Sequence, residues 1–192
     1  MDMTTAVEGE VARGACTLLR EKRLADALDD FRWRSEPDLS RYDAARPLSM
    51  EYQEFLSIFQ EELRYPSQYR RSLAIDDEAG KHIGNVMYYN IDAVHGEAEL
   101  GITIGEPEYW NRGYGTDAAR LLVGRLLRDL GFKRVYLKTL EWNHRARRAF
   151  EKAGFSECGR TYRSGSSFIL MEIRREWLAT EAERELAATP VA

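Results

Sequence analysis

The stretch EYWNRGYGTDAAR, residues 108–120, places two closely spaced glycines directly before a helical pattern. Gly113 and Gly115 allow the backbone to approach a ligand closely, and the unpaired N–H groups in the first turn of a helix can bind an anion. The stretch therefore predicts a phosphate-binding loop where a strand gives way to a helix. A glycine-containing loop that only turns the chain is the structural alternative.

Three classes of protein place a phosphate on such a loop. The chain has no GxxxxGK[ST] sequence, which disfavours a P-loop nucleotidase. Residues 113–118 satisfy the GxGxxA form of the dinucleotide fingerprint, but the next strand ends in Lys138-Thr139, where a Rossmann fold needs an acidic residue. A protein that binds coenzyme A is the third class.

Hydrophobic periodicity on both sides of the loop predicts alternating strands and helices. The strands are expected at residues 15–19, 69–75, 82–91, 98–104, 134–140, 155–162 and 166–173. The helices are expected at residues 22–32, 113–130, 143–153 and 176–188, with a further helix from an N-cap at Ser49 to about Leu63. The prolines at 37 and 47 predict a loop between the first two helices.

The composition is that of one folded domain. Of the 192 residues, 44% are hydrophobic and 31% are charged, and the net charge of −4 disfavours nucleic acid as a partner. We expect a flexible N-terminal tail at 1–13, a single domain at 14–175, and a C-terminal helix and tail at 176–192.

Further sequence features limit the expected cellular location of the protein and its use of cysteines and metals. No apolar run approaches the ~18 residues of a membrane span, and the acidic N-terminus is unlike a signal peptide, so we expect a cytoplasmic protein without a membrane partner. Cys16 and Cys158 lack CxxC spacing and are interpreted as reduced thiols. The three histidines lack ligand spacing, and no metal is expected.

Three segments together resemble the acetyl-CoA-binding core of the GNAT superfamily. They are ELGITI at 99–104, WNRGYGT at 110–116 and NHRARRAFEKAGF at 143–155. Within the superfamily, the chain is most similar to the branch of ribosomal-protein N-terminal acetyltransferases and spermidine acetyltransferases. The resemblance is strong over residues 97–156. It implies an α/β (α+β) fold with a mixed, mostly antiparallel central sheet of about seven strands, flanked by helices and splayed at the acetyl-CoA site.

The resemblance also implies an N-acetyltransferase that moves an acetyl group from acetyl-CoA to a primary amine, and it assigns residues to the cofactor. The backbone of one strand would pair with the pantetheine arm, at Ile102, Thr103 and Ile104. The backbone amides of the loop would hold the pyrophosphate, at Arg112, Gly113, Tyr114, Gly115 and Thr116. Asn143 would hydrogen-bond the pantetheine, and Phe150 would pack beside the thioester.

Two positions depart from the pattern of the family. Trp110 stands where the usual motif begins with Gln or Arg. Phe150 replaces a tyrosine that donates a proton to the leaving thiolate in many members, although a thiol with a pKa near ~8.5 leaves readily without an acid. A non-catalytic CoA-binding regulatory module is therefore the alternative function.

The acceptor side is assigned more coarsely. An amine with a pKa near ~10.4 must lose a proton before attack, and Glu99 is the candidate base, with a solvated strand glutamate as the alternative. Trp33, Arg34 and Tyr42 are the candidate acceptor contacts, which an amphipathic helix end would also explain. The acceptor could be a polyamine, an amino sugar, another small amine or a protein N-terminus. The arginines at 145, 147 and 148 would contact a CoA phosphate or form a solvated face, and the resemblance allows for a homodimer.

Overall fold

The computed structural model of the protein describes residues 8–178, which form one central sheet of eight strands. The strands are β1 (Glu10–Arg13), β2 (Leu18–Glu21), β3 (Arg70–Asp76), β4 (His82–Asp92), β5 (Glu97–Ile104), β6 (Arg134–Leu140), β7 (Ser156–Arg163) and β8 (Ser166–Arg174). Their order across the sheet is β1-β2-β3-β4-β5-β6-β8-β7. Neighbouring strands are antiparallel except for the parallel pair β5–β6.

Helices flank the sheet. They are α1 (Ala27–Ser35), α2 (Pro37–Tyr42), α3 (Tyr52–Arg64), α4 (Tyr114–Gly124) and α5 (His144–Lys152). Two 3₁₀ turns lie at Leu24–Asp26 and Pro107–Tyr109, and a π-helical turn at Arg125–Asp129 continues α4. Within residues 8–178, no helix is both long and apolar enough to cross a lipid bilayer.

The main core lies between α4 and the sheet. Ala118, Leu122 and Leu126 project from α4 and its extension, and they pack with Val86 and Val135 of the sheet. All five side chains are fully buried, and each buried Leu or Val contributes about 1.5–3 kcal/mol relative to exposure. This packing fixes the position of α4, so its N-terminus is held in one place beside β5. A smaller cluster joins α1 to α3.

The sheet splits on one side of β5. Pairing with β6 covers only Glu97, Ala98 and Glu99, whereas pairing with β4 continues to Ile104. Beyond Glu99, β5 and β6 separate, and the β6-facing edge of β5 has no strand partner among the described residues. The mixed, mostly antiparallel sheet predicted from the sequence is thus confirmed, with eight strands in place of about seven.

The N-terminal region differs from the prediction. The predicted tail at 1–13 contains β1, and residues 15–16, which were expected to begin a strand, instead form the bend of the β1–β2 hairpin. The carboxylate of Asp117 accepts hydrogen bonds from the N–H groups of Cys16 and Thr17 at 2.9 and 3.0 Å. A residue about 100 positions away therefore holds this bend, and no local pattern reports it.

Two further elements correct the sequence analysis. The predicted loop after Pro37 contains α2, which begins at that proline because Pro fits the first turn of a helix. Ser49 does not cap α3; the N-cap is Glu51, without a side-chain cap hydrogen bond. Of the helix predicted at 176–188, residues 175–178 are helical, and residues 179–192 lie outside the part that the structure describes.

Candidate active site

A cleft of approximately 740 Å³ opens where β5 and β6 separate. Such a volume lies within the usual range of small-molecule sites, ~300–1,000 Å³. The walls of this cleft come from β4, β5, β6, the N-terminus of α4, α5 and the end of α2. The predicted cofactor residues that line it are Ile102, Thr103, Ile104, Gly113, Gly115, Thr116, Asn143 and Phe150.

The start of α4 has the geometry of an anion site. Gly113 is its N-cap, with a φ of 96° that L-residues rarely adopt. A Cβ atom added at Gly113 would meet nothing within 4 Å, and one at Gly115 would meet only Ile104 Cγ1 at 3.7 Å. Open space therefore lies before the first turn, whose N–H groups have no intrahelical acceptor. This geometry fits the pyrophosphate of CoA.

Arg112 and Tyr114, by contrast, direct their side chains away from the cleft. The buried Tyr114 donates a hydrogen bond to Glu78 Oε2 at 3.2 Å and packs edge-on against Tyr109. The guanidinium of Arg112 lies 5.8 Å from the centroid of the Tyr114 ring. The prediction for these two residues concerns their backbone amides, so it stays a prediction.

Trp110 has a structural role that the sequence did not reveal. Its indole Nε1 donates a hydrogen bond to the carbonyl oxygen of Ile104 at 2.8 Å, at the end of the unpaired edge of β5. The guanidinium of Arg145 lies 3.6 Å from the centroid of the Trp110 ring and 4.7 Å from that of Tyr42. This cation–π stack joins α2, α5 and the loop before α4, so Arg145 does not belong to a solvated helix face.

Asn143 and Phe150 line the cleft from α5. Asn143 is buried, and its Oδ1 accepts the N–H of Ala146 at 3.2 Å, so the residue caps the helix. The amide nitrogen of its side chain remains able to donate to a ligand. Phe150 is buried and packs against Phe155 with ring centroids 5.9 Å apart. Position 150 therefore offers no hydroxyl that could donate a proton to the leaving thiolate.

Glu99 lies at the fork between β5 and β6, and it is only 2% exposed. Lys138 Nζ donates to both carboxylate oxygens at 2.9 and 3.0 Å, the Tyr89 hydroxyl donates at 3.0 Å, and Asn90 Nδ2 donates at 2.9 Å. Burial and the charge of Glu99 raise the pKa of Tyr89, so its hydroxyl keeps its proton. Glu99 is therefore not a solvated strand residue.

These contacts also weaken the case for Glu99 as a direct base. Four hydrogen bonds from Lys138, Tyr89 and Asn90 already occupy both of its carboxylate oxygens. Tyr89 and Lys138 line the cleft, whereas Glu99 does not. The role of Glu99 as the base stays a prediction.

The three residues expected at the acceptor have different positions. Trp33 is buried, its Nε1 donates to Glu106 Oε1 at 3.1 Å, and it lines a neighbouring groove rather than the cleft. Arg34 is exposed, with its guanidinium 5.6 Å from the ring of Phe55, and it does not line the cleft either. Tyr42 does line it. Of the three residues, only Tyr42 lines the cleft itself, and the roles of Trp33 and Arg34 at the acceptor stay predictions.

Asp43 was missed by the sequence analysis. It follows α2 and lines the cleft, where its Oδ2 accepts a hydrogen bond from Thr103 Oγ1 at 3.4 Å. Although Asp43 has solvent access, the protein around its carboxylate displaces water and raises its pKa to about 6, whereas the Thr103 hydrogen bond and the charge of Arg34 act in the opposite direction. No motif surrounds Asp43 in the sequence, so only the position of α2 over β5 could identify it.

Comparison with known proteins agrees with the geometry of the cleft. A family model described as an acetyltransferase (GNAT) domain matches residues 17–156, which is more than half of the chain. The chain belongs to the GNAT acetyltransferase family. This assignment confirms the predicted enzyme class, N-acetyltransferase. No curated protein sequence matches the chain.

Solved structures share the GNAT fold at low sequence identity. A spermidine N-acetyltransferase from Vibrio cholerae, in complex with CoA and spermine, is 20% identical, with a TM-score of 0.74 over 83% of this chain and 96% of that one. RimJ from Mycobacterium smegmatis, in complex with CoA-disulfide, is 18% identical, with a TM-score of 0.73 over 88% of each chain. The aminoglycoside acetyltransferase AAC(6')-Ib with coenzyme A is 18% identical, with a TM-score of 0.71 over 85% of this chain and 98% of that one.

The first two structures agree with the branch of GNAT enzymes that the sequence resembles. Among residues 8–178, no group of three or more His, Cys, Asp and Glu side chains is arranged to hold a metal ion.

Proposed function

We propose that this GNAT domain transfers the acetyl group of acetyl-CoA to a primary amine that binds in the cleft. One observation carries the proposal: the N-terminus of α4 and the unpaired edge of β5 open into the same cleft. The first supplies N–H groups for a pyrophosphate, and the second supplies backbone groups for an extended amide-containing chain. Several GNAT structures with the same fold were solved with CoA bound, which supports CoA as the donor.

We assign the following roles in acetyl transfer to residues of the chain. The amides of residues 112–116 bind the pyrophosphate, the backbone of residues 102–104 binds the pantetheine arm, and Asn143 donates to that arm. Phe150 packs beside the thioester and excludes water. The neutral amine attacks directly, and the thiolate leaves without a protein acid because a thiol is only weakly basic near neutral pH.

A non-catalytic CoA-binding module is the second candidate function. The observation that favours it is the phenylalanine at position 150, which lines the cleft without offering a proton. A panel of spermidine, an aminoglycoside, a small alkylamine and a peptide with a free N-terminus would separate the two functions. Release of CoA thiol that depends on one of these amines is expected; CoA binding without turnover of any of them supports the module. Cytoplasmic location and homodimer formation stay predictions of the sequence.

The CoA site is tested by Gly115→Glu. The substitution places a side chain and a negative charge in the open space before α4, so binding of CoA should be abolished in calorimetry. Gly124→Glu is the matched control, because a Cβ at Gly124 also meets nothing within 4 Å but Gly124 does not line the cleft. Undiminished affinity of a folded Gly115→Glu protein would move the CoA site elsewhere.

A further inference from the structure

We propose that Asp43 is the base that takes the proton from the acceptor amine. This assignment rests on the acetyl transfer proposed above and gives the reaction a catalytic residue that differs from Glu99. Three properties of Asp43 support it: its position beside β5, its access to the cleft, and the few groups that stabilise its charge.

The position follows from α2. Leu39 and Tyr42 of this helix line the cleft together with Asp43, which caps its C-terminal end. The carboxylate meets Thr103 Oγ1 at 3.4 Å, in the part of β5 that we assign to the pantetheine arm. An amine bound between Asp43 and this edge of β5 would therefore lie beside the acyl donor.

Access and basicity occur together at Asp43. Its side chain is exposed, yet protein surrounds it on several sides because it borders a concave surface. This environment raises the pKa of Asp43 to about 6, against ~3.9 for an ordinary aspartate. The carboxylate is thus mostly ionised at neutral pH but binds a proton more readily than a solvated one.

The contrast with Glu99 is one of hydrogen bonding. Lys138, Tyr89 and Asn90 donate to both oxygens of Glu99. Among the residues that the structure describes, only Thr103 donates to Asp43, and Arg34 is the only cation that lowers its pKa. A proton can therefore bind to Asp43 without displacing a lysine.

The proposed step balances as follows. Asp43 accepts one proton from the ammonium group, and the nitrogen regains its electron pair. The nitrogen forms a bond to the acetyl carbonyl carbon, the carbon–sulfur bond breaks, and its electron pair leaves on the sulfur as the CoA thiolate. The second proton on the new amide nitrogen passes to water, and Asp43 releases its own proton to solvent before the next turnover.

Other titratable groups near the cleft do not account for a proton acceptor near pH 6. The pKa of Asp117 is lowered: burial opposes this shift, but hydrogen bonds from residues 15–17 outweigh it. Burial raises the pKa of Cys16 to about 11, and burial and the charge of Glu99 raise that of Tyr89, so neither group accounts for a transition near pH 6. Glu99 is tested separately by Glu99→Gln. Arg34 and Tyr89 interact electrostatically with Asp43, and Tyr42, Lys138 and Arg145 line the same cleft.

The test compares Asp43→Asn with Asp38→Asn. Asp38 lies in the first turn of the same helix, is exposed, and does not line the cleft, so its variant removes an equal charge from the same element. With the best amine of the panel, Asp43→Asn should lower kcat by about 10²-fold or more, a range typical of the loss of a general base. It should also remove the fall of kcat/KM below about pH 6. Asp38→Asn should keep the wild-type kcat and the same fall of kcat/KM at acidic pH.

Thr103→Val provides a second test. The Thr103 hydrogen bond lowers the pKa of Asp43, so its loss should shift the acidic fall of kcat/KM to higher pH. A shift to lower pH, or no shift, contradicts the proposal.

The outcomes separate this proposal from the proposed function. If Asp43→Asn keeps kcat and the acidic fall, or only raises KM, Asp43 is not the base although the protein is an acetyltransferase. If the wild-type protein binds CoA but acetylates no amine, the proposed function itself fails, and the role of Asp43 fails with it.

Discussion

Two groups of charged side chains lie on the same face of the sheet and are packed in opposite ways. Under α1, Arg20 forms hydrogen bonds to both Asp26 and Asp76 at 2.6–2.9 Å, and all three are at most 3% exposed. At the fork of β5 and β6, Glu99 is equally buried, but its partner Lys138 has a side chain that is 36% exposed and lines the cleft.

The difference follows from the neighbouring strands. Arg20 lies in β2, whose pairing with β3 is unbroken, and the protein buries the whole cluster, so no ligand can reach it. Glu99 is the last residue of β5 that pairs with β6, and the separation beyond it exposes Lys138. Similar ion pairs therefore stabilise the fold in one place and border a reactive site in the other.

The largest expected effect is on the stability contributed by the buried cluster of Arg20, Asp26 and Asp76. Arg20→Ala leaves Asp26 and Asp76 buried without their cation, which should lower the free energy of unfolding by about 3–5 kcal/mol in urea denaturation. Arg71→Ala is the matched control, because its ion pair with Glu21 is 44% exposed on both sides and should contribute less than about 1 kcal/mol. An equal loss of unfolding free energy in both variants would contradict the difference between the buried and the exposed ion pairs.

Asp117 provides an intermediate case, since it joins the β1–β2 bend to α4. Asp117→Ala removes four hydrogen bonds and should cost about 2–3 kcal/mol at pH 7. The folded protein lowers the pKa of Asp117, so its stabilisation is present above the unfolded pKa near ~3.9 and is lost as pH falls through the lower folded value. Unfolding experiments from pH 7 to pH 2 should show the wild-type advantage shrinking below about pH 4; a constant advantage would argue against an ionic role.

At the fork, Glu99→Gln should lower the free energy of unfolding by about 1–3 kcal/mol, because it removes the charge-assisted hydrogen bonds between Glu99 and Lys138. The loss is moderate because solvent partly reaches the Lys138 side chain. With Asp43 as the base, the acidic fall of kcat/KM should persist in this variant. Loss of that fall together with about 10²-fold in kcat would instead support proton transfer to Glu99 through Tyr89.

The smallest effect is expected at position 150. Phe150→Tyr adds a hydroxyl at the cleft wall and should change kcat less than about threefold, because the thiolate leaves without help. A pH–rate profile with the best amine measures it. A rise of tenfold or more would show that the reaction lacks an acid in the natural sequence.

Local sequence patterns were enough to predict much of the secondary structure around the proposed CoA site. The strand predicted at 134–140 agrees with β6 at both ends, and the helix predicted at 143–153 agrees with α5 and its Asn143 cap. Both follow from periodicity and from capping chemistry within one turn. The acceptor side was predicted less well, because α2 is six residues long and its first turn holds a proline that also fits a loop.

By itself, the sequence determined the GNAT family, the strand-and-helix order and the glycines of the phosphate loop, because each depends on residues within a few positions of one another. Only the tertiary structure decided which side chains meet. Glu99 and Lys138 are 39 residues apart, and Asp43 and Thr103 are 60 apart. Their contacts depend on strand register and on the packing of α2 over β5, and neither leaves a periodic signal in the chain.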